Sequence, residues 1–137
     1  MTVVVDASVA IKWVLDEPGS EAAARLQREE PLAAPDLMIV ECANVLWKKA
    51  RRRDISRGQA ELGLTAIRAT PVRLLRTNDY AATAQALAFD LDQTAYDALY
   101  LAVALTERAT LVTADAAFAQ GVARHGMYQS FVRLLAD

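Results

Sequence analysis

At 137 residues the chain has the size of one domain, able to bury a core without disulfide or zinc staples. Its 54% hydrophobic content argues against disorder, and no apolar run approaches the roughly 20 residues that cross a bilayer. A net charge of −2 excludes a global basic field for nucleic acid, and a single cysteine, Cys42, excludes an internal disulfide.

The chain enters directly into a β-branched run, which predicts a buried strand over 2–5 and, with no secretory signal, a cytoplasmic protein. Asp6 is placed to cap a short helix over about 8–15, which Pro18-Gly19 ends. Ser20 is expected to cap a helix over 21–29, and 32–34 reads as a short strand. Asp36 is expected to cap a long helix reaching about residue 53, with Ser56 starting another to about 68. A strand over 71–75 precedes helices over 79–89 and 95–108. A strand over 110–112, a helix over 116–123, a turn at His125-Gly126 and a last strand over 127–131 complete the chain. Strands alternating with helices imply an α/β fold: a three-layer α/β/α sandwich around a parallel sheet of four to five strands. No linker, repeat or low-complexity segment divides the chain, so one domain over 1–137 is expected.

Four acids interrupt apolar stretches: Asp6 after Val3-Val4-Val5, Glu41 between Leu37-Met38-Ile39-Val40 and Cys42-Ala43, Asp97 within Ala95–Ala104, and Asp115 after Leu111-Val112-Thr113-Ala114. A carboxylate in apolar surroundings is costly unless paired, hydrogen-bonded or bound to a cation. Asp6 and Asp115 fall just beyond strand ends, the rim where open α/β sheets place ligands. Glu41 and Asp97 fall early in their helices, so all four can converge on one end of the sheet. Taken singly, each also reads as an ordinary cap or a buried pair. Without a cation, clustered carboxylates repel and raise one another's pKa, and hard oxygen donors suit Mg²⁺ or Mn²⁺. Zinc is disfavoured, because the only soft or imidazole candidates are Cys42, a core residue, and His125, a surface one. The same shortage of histidine removes a serine or cysteine triad.

Asn44 lies three residues from Glu41 and either orients it or holds a water of the ion. Ser8 either serves the same rim or simply begins a helix, and Thr113 caps the last helix or bonds Asp115. Lys48, Lys49, Arg51, Arg52, Arg53 and Arg57 form a dense cationic stretch, read either as a solvated helix end or as a phosphate-contacting patch. Lys48, Lys49, Arg51 and Arg52 are its candidates for phosphate contact. Trp13, Leu15 and Trp47 are either core residues or the lining of a partner groove.

The segments Val3-Val4-Val5-Asp6-Ala7-Ser8, Glu41-Cys42-Ala43-Asn44-Val45-Leu46, Ala95-Tyr96-Asp97-Ala98-Leu99-Tyr100-Leu101-Ala102 and Leu111-Val112-Thr113-Ala114-Asp115 together resemble the PIN-domain family. Within it, they look most like the VapC-like toxins of bacterial toxin–antitoxin pairs. By that resemblance Asp6, Glu41, Asp97 and Asp115 match the family's acidic metal-binding residues, and Ser8 and Asn44 match polar positions near that site. The resemblance implies Mg²⁺- or Mn²⁺-dependent RNA cleavage leaving a 5′-phosphate and a 3′-hydroxyl. It further implies a homodimer neutralised by a small antitoxin. No further acid follows Asp115 closely, which puts a second strongly held metal in question. Two other readings compete. A haloacid-dehalogenase-type phosphatase or a receiver domain would also use an acid rim, but the former wants a second Asp where Ser8 stands. The receiver wants paired acids after the first strand and a late lysine. A pure interaction module would leave the acids as caps and pairs.

Overall fold

The computed structural model describes residues 1–136, and among these, five strands alternate with seven α-helices. The strands are β1 (Val3–Val5), β2 (Leu32–Pro35), β3 (Val72–Leu75), β4 (Thr110–Thr113) and β5 (Val132–Leu134). The helices are α1 (Ala7–Ala10, continued by a 3-10 turn over Ile11–Trp13), α2 (Ser20–Glu29), α3 (Leu37–Arg51), α4 (Arg57–Ala69), α5 (Ala81–Leu91), α6 (Ala95–Glu107) and α7 (Ala116–Ala123).

All pairings are parallel, in the order β3-β2-β1-β4-β5. Every residue of β1 and β2 is buried, although successive side chains of a strand point to opposite faces, so both faces of the sheet are covered. The outer strands β3 and β5 carry exposed positions, as edges do. This is the three-layer α/β/α sandwich expected from the alternation of strand and helix signals. Its central helix is α6, apolar all round and buried from Ala98 to Ala104, which packs across β1, β2 and β4 and against α5.

The chain runs from β1 outward through β2 to β3, then returns to the other side of β1 for β4 and β5. The strand order therefore reverses between β1 and β4, and the crevice beyond their C-terminal ends is where such sheets bind ligands.

Some local expectations shift. Ser20 is the first residue of α2 rather than its cap. Gly19 precedes it at φ 90°, a left-handed conformation natural to glycine, while the Ser20 hydroxyl donates to the Leu15 carbonyl. Asp36 does not cap α3; its Oδ1 accepts from the Thr77 backbone and hydroxyl, tying the start of α3 to the segment after β3. The last strand is Val132–Leu134 instead of 127–131. Its place is set by pairing with β4 (Leu111 with Val132, Thr113 with Leu134) and not by the apolar Met127 and Tyr128, which lie in a turn before it.

Candidate metal centre

Asp6 leaves β1 in extended conformation and caps α1, accepting a hydrogen bond from the Val9 N–H at 3.2 Å. The β1–β4 register pairs Val5 with Val112, so the next step brings Asp6 beside Thr113. There the Thr113 hydroxyl donates to Asp6 Oδ2 at 2.5 Å, and the Ser8 hydroxyl donates to Asp6 Oδ1 at 2.5 Å. Both contacts lie at the short end of the O–H···O hydrogen-bond range. The network continues into β4's exit: the Ala114 N–H donates to Ser8 Oγ at 2.9 Å, and the Asp115 N–H donates to Thr113 Oγ1 at 3.1 Å. Thr113, fully buried, thus bonds both Asp6 and the Asp115 backbone. Ser8 also goes beyond a helix-start residue, holding Asp6 on one side and the β4–α7 loop on the other.

Asp115 caps α7, its Oδ1 accepting from the Phe118 N–H at 3.0 Å. Asp97 sits in the first turn of α6, early in its helix as expected, where the helix dipole favours an anion. Its backbone is capped by Thr94. Glu41 lies one turn into α3, and the Tyr100 hydroxyl of α6 donates to its Oε1.

The four carboxylates feel one another. Burial raises the pKa of Asp6, against the pull of its hydroxyl donors, and Asp115 raises it further. Burial, with Asp97 and Asp6 nearby, raises Glu41 despite the Tyr100 bond. Burial, then Asp115, raises Asp97. Buried Cys42 behaves as the small core residue expected, its thiol pushed up to about 12 by burial and by Glu41 and Asp6. Asp6, Glu41, Asp97 and Asp115 therefore form one electrostatic unit at the switch point of the sheet.

The donor set is carboxylate and hydroxyl oxygen throughout, which fits a hard divalent cation. Among the described residues, no group of three His, Cys, Asp or Glu side chains is drawn close enough to hold an ion by itself. Fewer than three protein ligands is compatible with a hydrated hard cation, since Mg²⁺ keeps several waters and takes only one or two carboxylates.

Other sequence candidates lie elsewhere. Asn44 is exposed and makes no side-chain hydrogen bond among the described residues; Glu41 is bonded by Tyr100 instead. Tyr100 is the residue sequence reasoning passed over, and its only sequence signal is the shared helical face with Asp97. The basic stretch occupies the other end of α3. Lys48 is seven residues, or about 10 Å of helix, beyond Glu41. Lys49 pairs with Glu17 at 3.6 Å, Arg52 with Asp54 at 3.5 Å, and Arg51 lies over the Trp47 ring at 5.5 Å. Trp47 and Arg51 line a groove of about 600 Å³ between α3 and α4, whereas Trp13 and Leu15 line a separate one of about 360 Å³ and pack on the core. His125 is exposed.

Comparison with known proteins agrees with this architecture. The PIN domain family matches residues 3–122. A curated relative, Ribonuclease VapC3 of Pyrobaculum aerophilum, is 34% identical over 88% of this chain and 94% of its own. The crystal structure of PAE2754 from Pyrobaculum aerophilum superposes with a TM-score of 0.71 at 26% identity, covering 88% of this chain and 79% of that one. VapC20 of Mycobacterium tuberculosis, described as a sarcin–ricin-loop-cleaving toxin, has a TM-score of 0.67 at 18% identity over 86% and 93% of the two chains. The VapBC2 structure from Rickettsia felis, bound to a promoter DNA fragment, has a TM-score of 0.66 at 13% identity over 99% and 100%. At those identities the last two speak for the fold alone. With its parallel five-stranded sheet, its acid rim at the switch point and a family match spanning most of its length, this chain belongs to the PIN-domain family.

Proposed function

We propose that this protein is a metal-dependent endoribonuclease of the VapC type, the toxin of a toxin–antitoxin pair, in which Asp6, Glu41, Asp97 and Asp115 hold Mg²⁺ or Mn²⁺. The observation that carries this reading is the electrostatic coupling of those carboxylates in one crevice, where three of them are held above their ordinary pKa. A bound divalent cation supplies charge neutralisation at an RNA phosphodiester and acidifies water for hydrolysis. The protein's own contribution is orientation. Ser8, Thr113 and the Val9 N–H lock the Asp6 carboxylate, Asp115 is held by its cap, and Tyr100 holds Glu41. Lys48, Lys49, Arg51 and Arg52 are proposed to meet RNA phosphates beyond the cleft, with Lys48 and Arg51 foremost because Lys49 and Arg52 are paired with acids.

The test is cleavage of RNA by the purified protein with mapped ends. Cleavage is expected in Mg²⁺ or Mn²⁺, leaving 5′-phosphate and 3′-hydroxyl ends, and absent in chelator. Asp97→Asn should fold and lose activity, and wild-type cutting by that variant would overturn the assignment. A non-catalytic interaction module is the second reading, favoured by the lack of a preformed ion-holding group among the described residues. Calorimetry with Mn²⁺ separates the two, since a module would show no binding. A homodimer, a small antitoxin partner and a cytoplasmic location follow from the family reading. Light scattering of the purified chain, and copurification with the product of a short adjacent reading frame, test the first two. For the third, no helix among the described residues is long and apolar enough to cross a membrane.

A further inference from the structure

Tyr100 is the one buried hydroxyl aromatic of α6, only 3% exposed, and it lies one helical turn after Asp97. Its phenol donates to Glu41 Oε1, the only hydrogen bond to the Glu41 side chain among the described residues. A glutamate has three side-chain torsions and loses considerable freedom when one arrangement is required. Asp6 is held by two hydroxyls and a backbone N–H, and Asp115 by its cap, whereas Glu41 is held by this phenol alone. The phenol is itself rigid, with its ring packed in the core cluster and only two torsions to fix. It occupies one carboxylate oxygen, Oε1, and leaves Oε2 without a protein donor among the described residues.

Resting on the metal reading above, we infer that Tyr100 is a positioning residue. It fixes the Glu41 side chain so that one oxygen stays free for the cation, and it couples α3 to α6 so that Glu41 and Asp97 reach the ion together. A phenylalanine would fill the same core space and remove only the hydroxyl. Groups that hold a ligand in place typically account for about 10–100-fold in metal affinity or activity.

The experiment is Mn²⁺ affinity by calorimetry for wild type, Tyr100→Phe, Glu41→Gln and the double variant, with thermal melts of each. Tyr100→Phe should keep a cooperative melt while its Mn²⁺ affinity falls about tenfold or more. In the Glu41→Gln background the same change should cost almost nothing further, because the group it positions is gone. Wild-type affinity in Tyr100→Phe, or an equal loss in both backgrounds, would overturn the inference and leave Tyr100 a packing residue. If Glu41→Gln weakens Mn²⁺ binding and Tyr100→Phe does not, only this inference fails. If wild type itself binds no Mn²⁺, the metal reading fails and takes the inference with it.

Discussion

The two ends of α3 treat charge in opposite ways. At its beginning, Glu41 joins Asp6 and Asp97, whose ionisation burial penalises, with exposed Asp115 close enough to add its charge to Asp6 and Asp97. At its far end, Lys49 finds Glu17, Arg52 just beyond the helix finds Asp54, and Arg51 rests on Trp47. Exposed pairs of that kind contribute little, about 0–1 kcal/mol each, and need no further explanation. The acid end has no protein cation to relieve it, since none of the ion pairs found among the described residues involves Asp6, Glu41, Asp97 or Asp115. Unrelieved like charges of that kind are a frequent mark of functional sites. Charge density alone would have marked the basic end; unrelieved charge marks the acid one.

Substitutions can break this contrast, and the largest effect belongs to the acid end. Asp97→Asn is expected to reduce RNA cleavage by more than about 100-fold, beyond what loss of a mere supporting group costs. Next comes Thr113→Val, which removes the fully buried hydroxyl that donates to Asp6 and accepts from the Asp115 N–H. It should destabilise the fold by about 1–3 kcal/mol in a denaturant titration. Near-zero cost would mean the hydroxyl network does not hold the crevice together.

A smaller effect concerns pH. Asp6, Glu41 and Asp97 titrate above their ordinary values in the folded protein, so between the unfolded and folded pKa the native state binds more protons than the unfolded one. Their contribution to stability is therefore full below about pH 4 and is lost as pH rises through the folded values. In chelator, Asp97→Asn should be more stable than wild type at neutral pH and equal to it in acid. Added Mg²⁺ should shrink or reverse that advantage, as thermal melts with and without the ion would show.

The smallest effects are expected at the basic end, where Lys48→Ala and Arg51→Ala should each change stability by about 0.5 kcal/mol or less. If these residues meet RNA phosphates, each variant should also flatten the salt dependence of RNA binding by about 0.7 in the log–log slope. An unchanged slope would make that end a solvated helix terminus and nothing more.

Much of the fold was legible because its signals are local. The β-branched run of β1, the all-apolar α6 and the caps at Asp6 and Asp115 depend on residues within one turn of each other. The four acids stood out for the same reason, as interruptions of apolar runs. What escaped depends on partners distant in sequence. Glu41 looked to Asn44, its neighbour on the helix, but its partner is Tyr100, 59 residues away. Thr113 was read as serving Asp115, and it also holds Asp6, 107 residues away, because β1 and β4 lie side by side. The last strand was placed five residues early because apolarity was the only local cue, while pairing to β4 decided the register.

By itself, then, the amino-acid order determined which residues are buried, where elements begin, and which carboxylates lack a local reason to be there. Tertiary structure alone decided that the strand order reverses between β1 and β4, and this brings acids from four separate segments into one crevice. It also decided which hydroxyls orient them. The physical reason is that burial preferences act along the chain over a few residues, whereas strand register and helix packing choose neighbours across it.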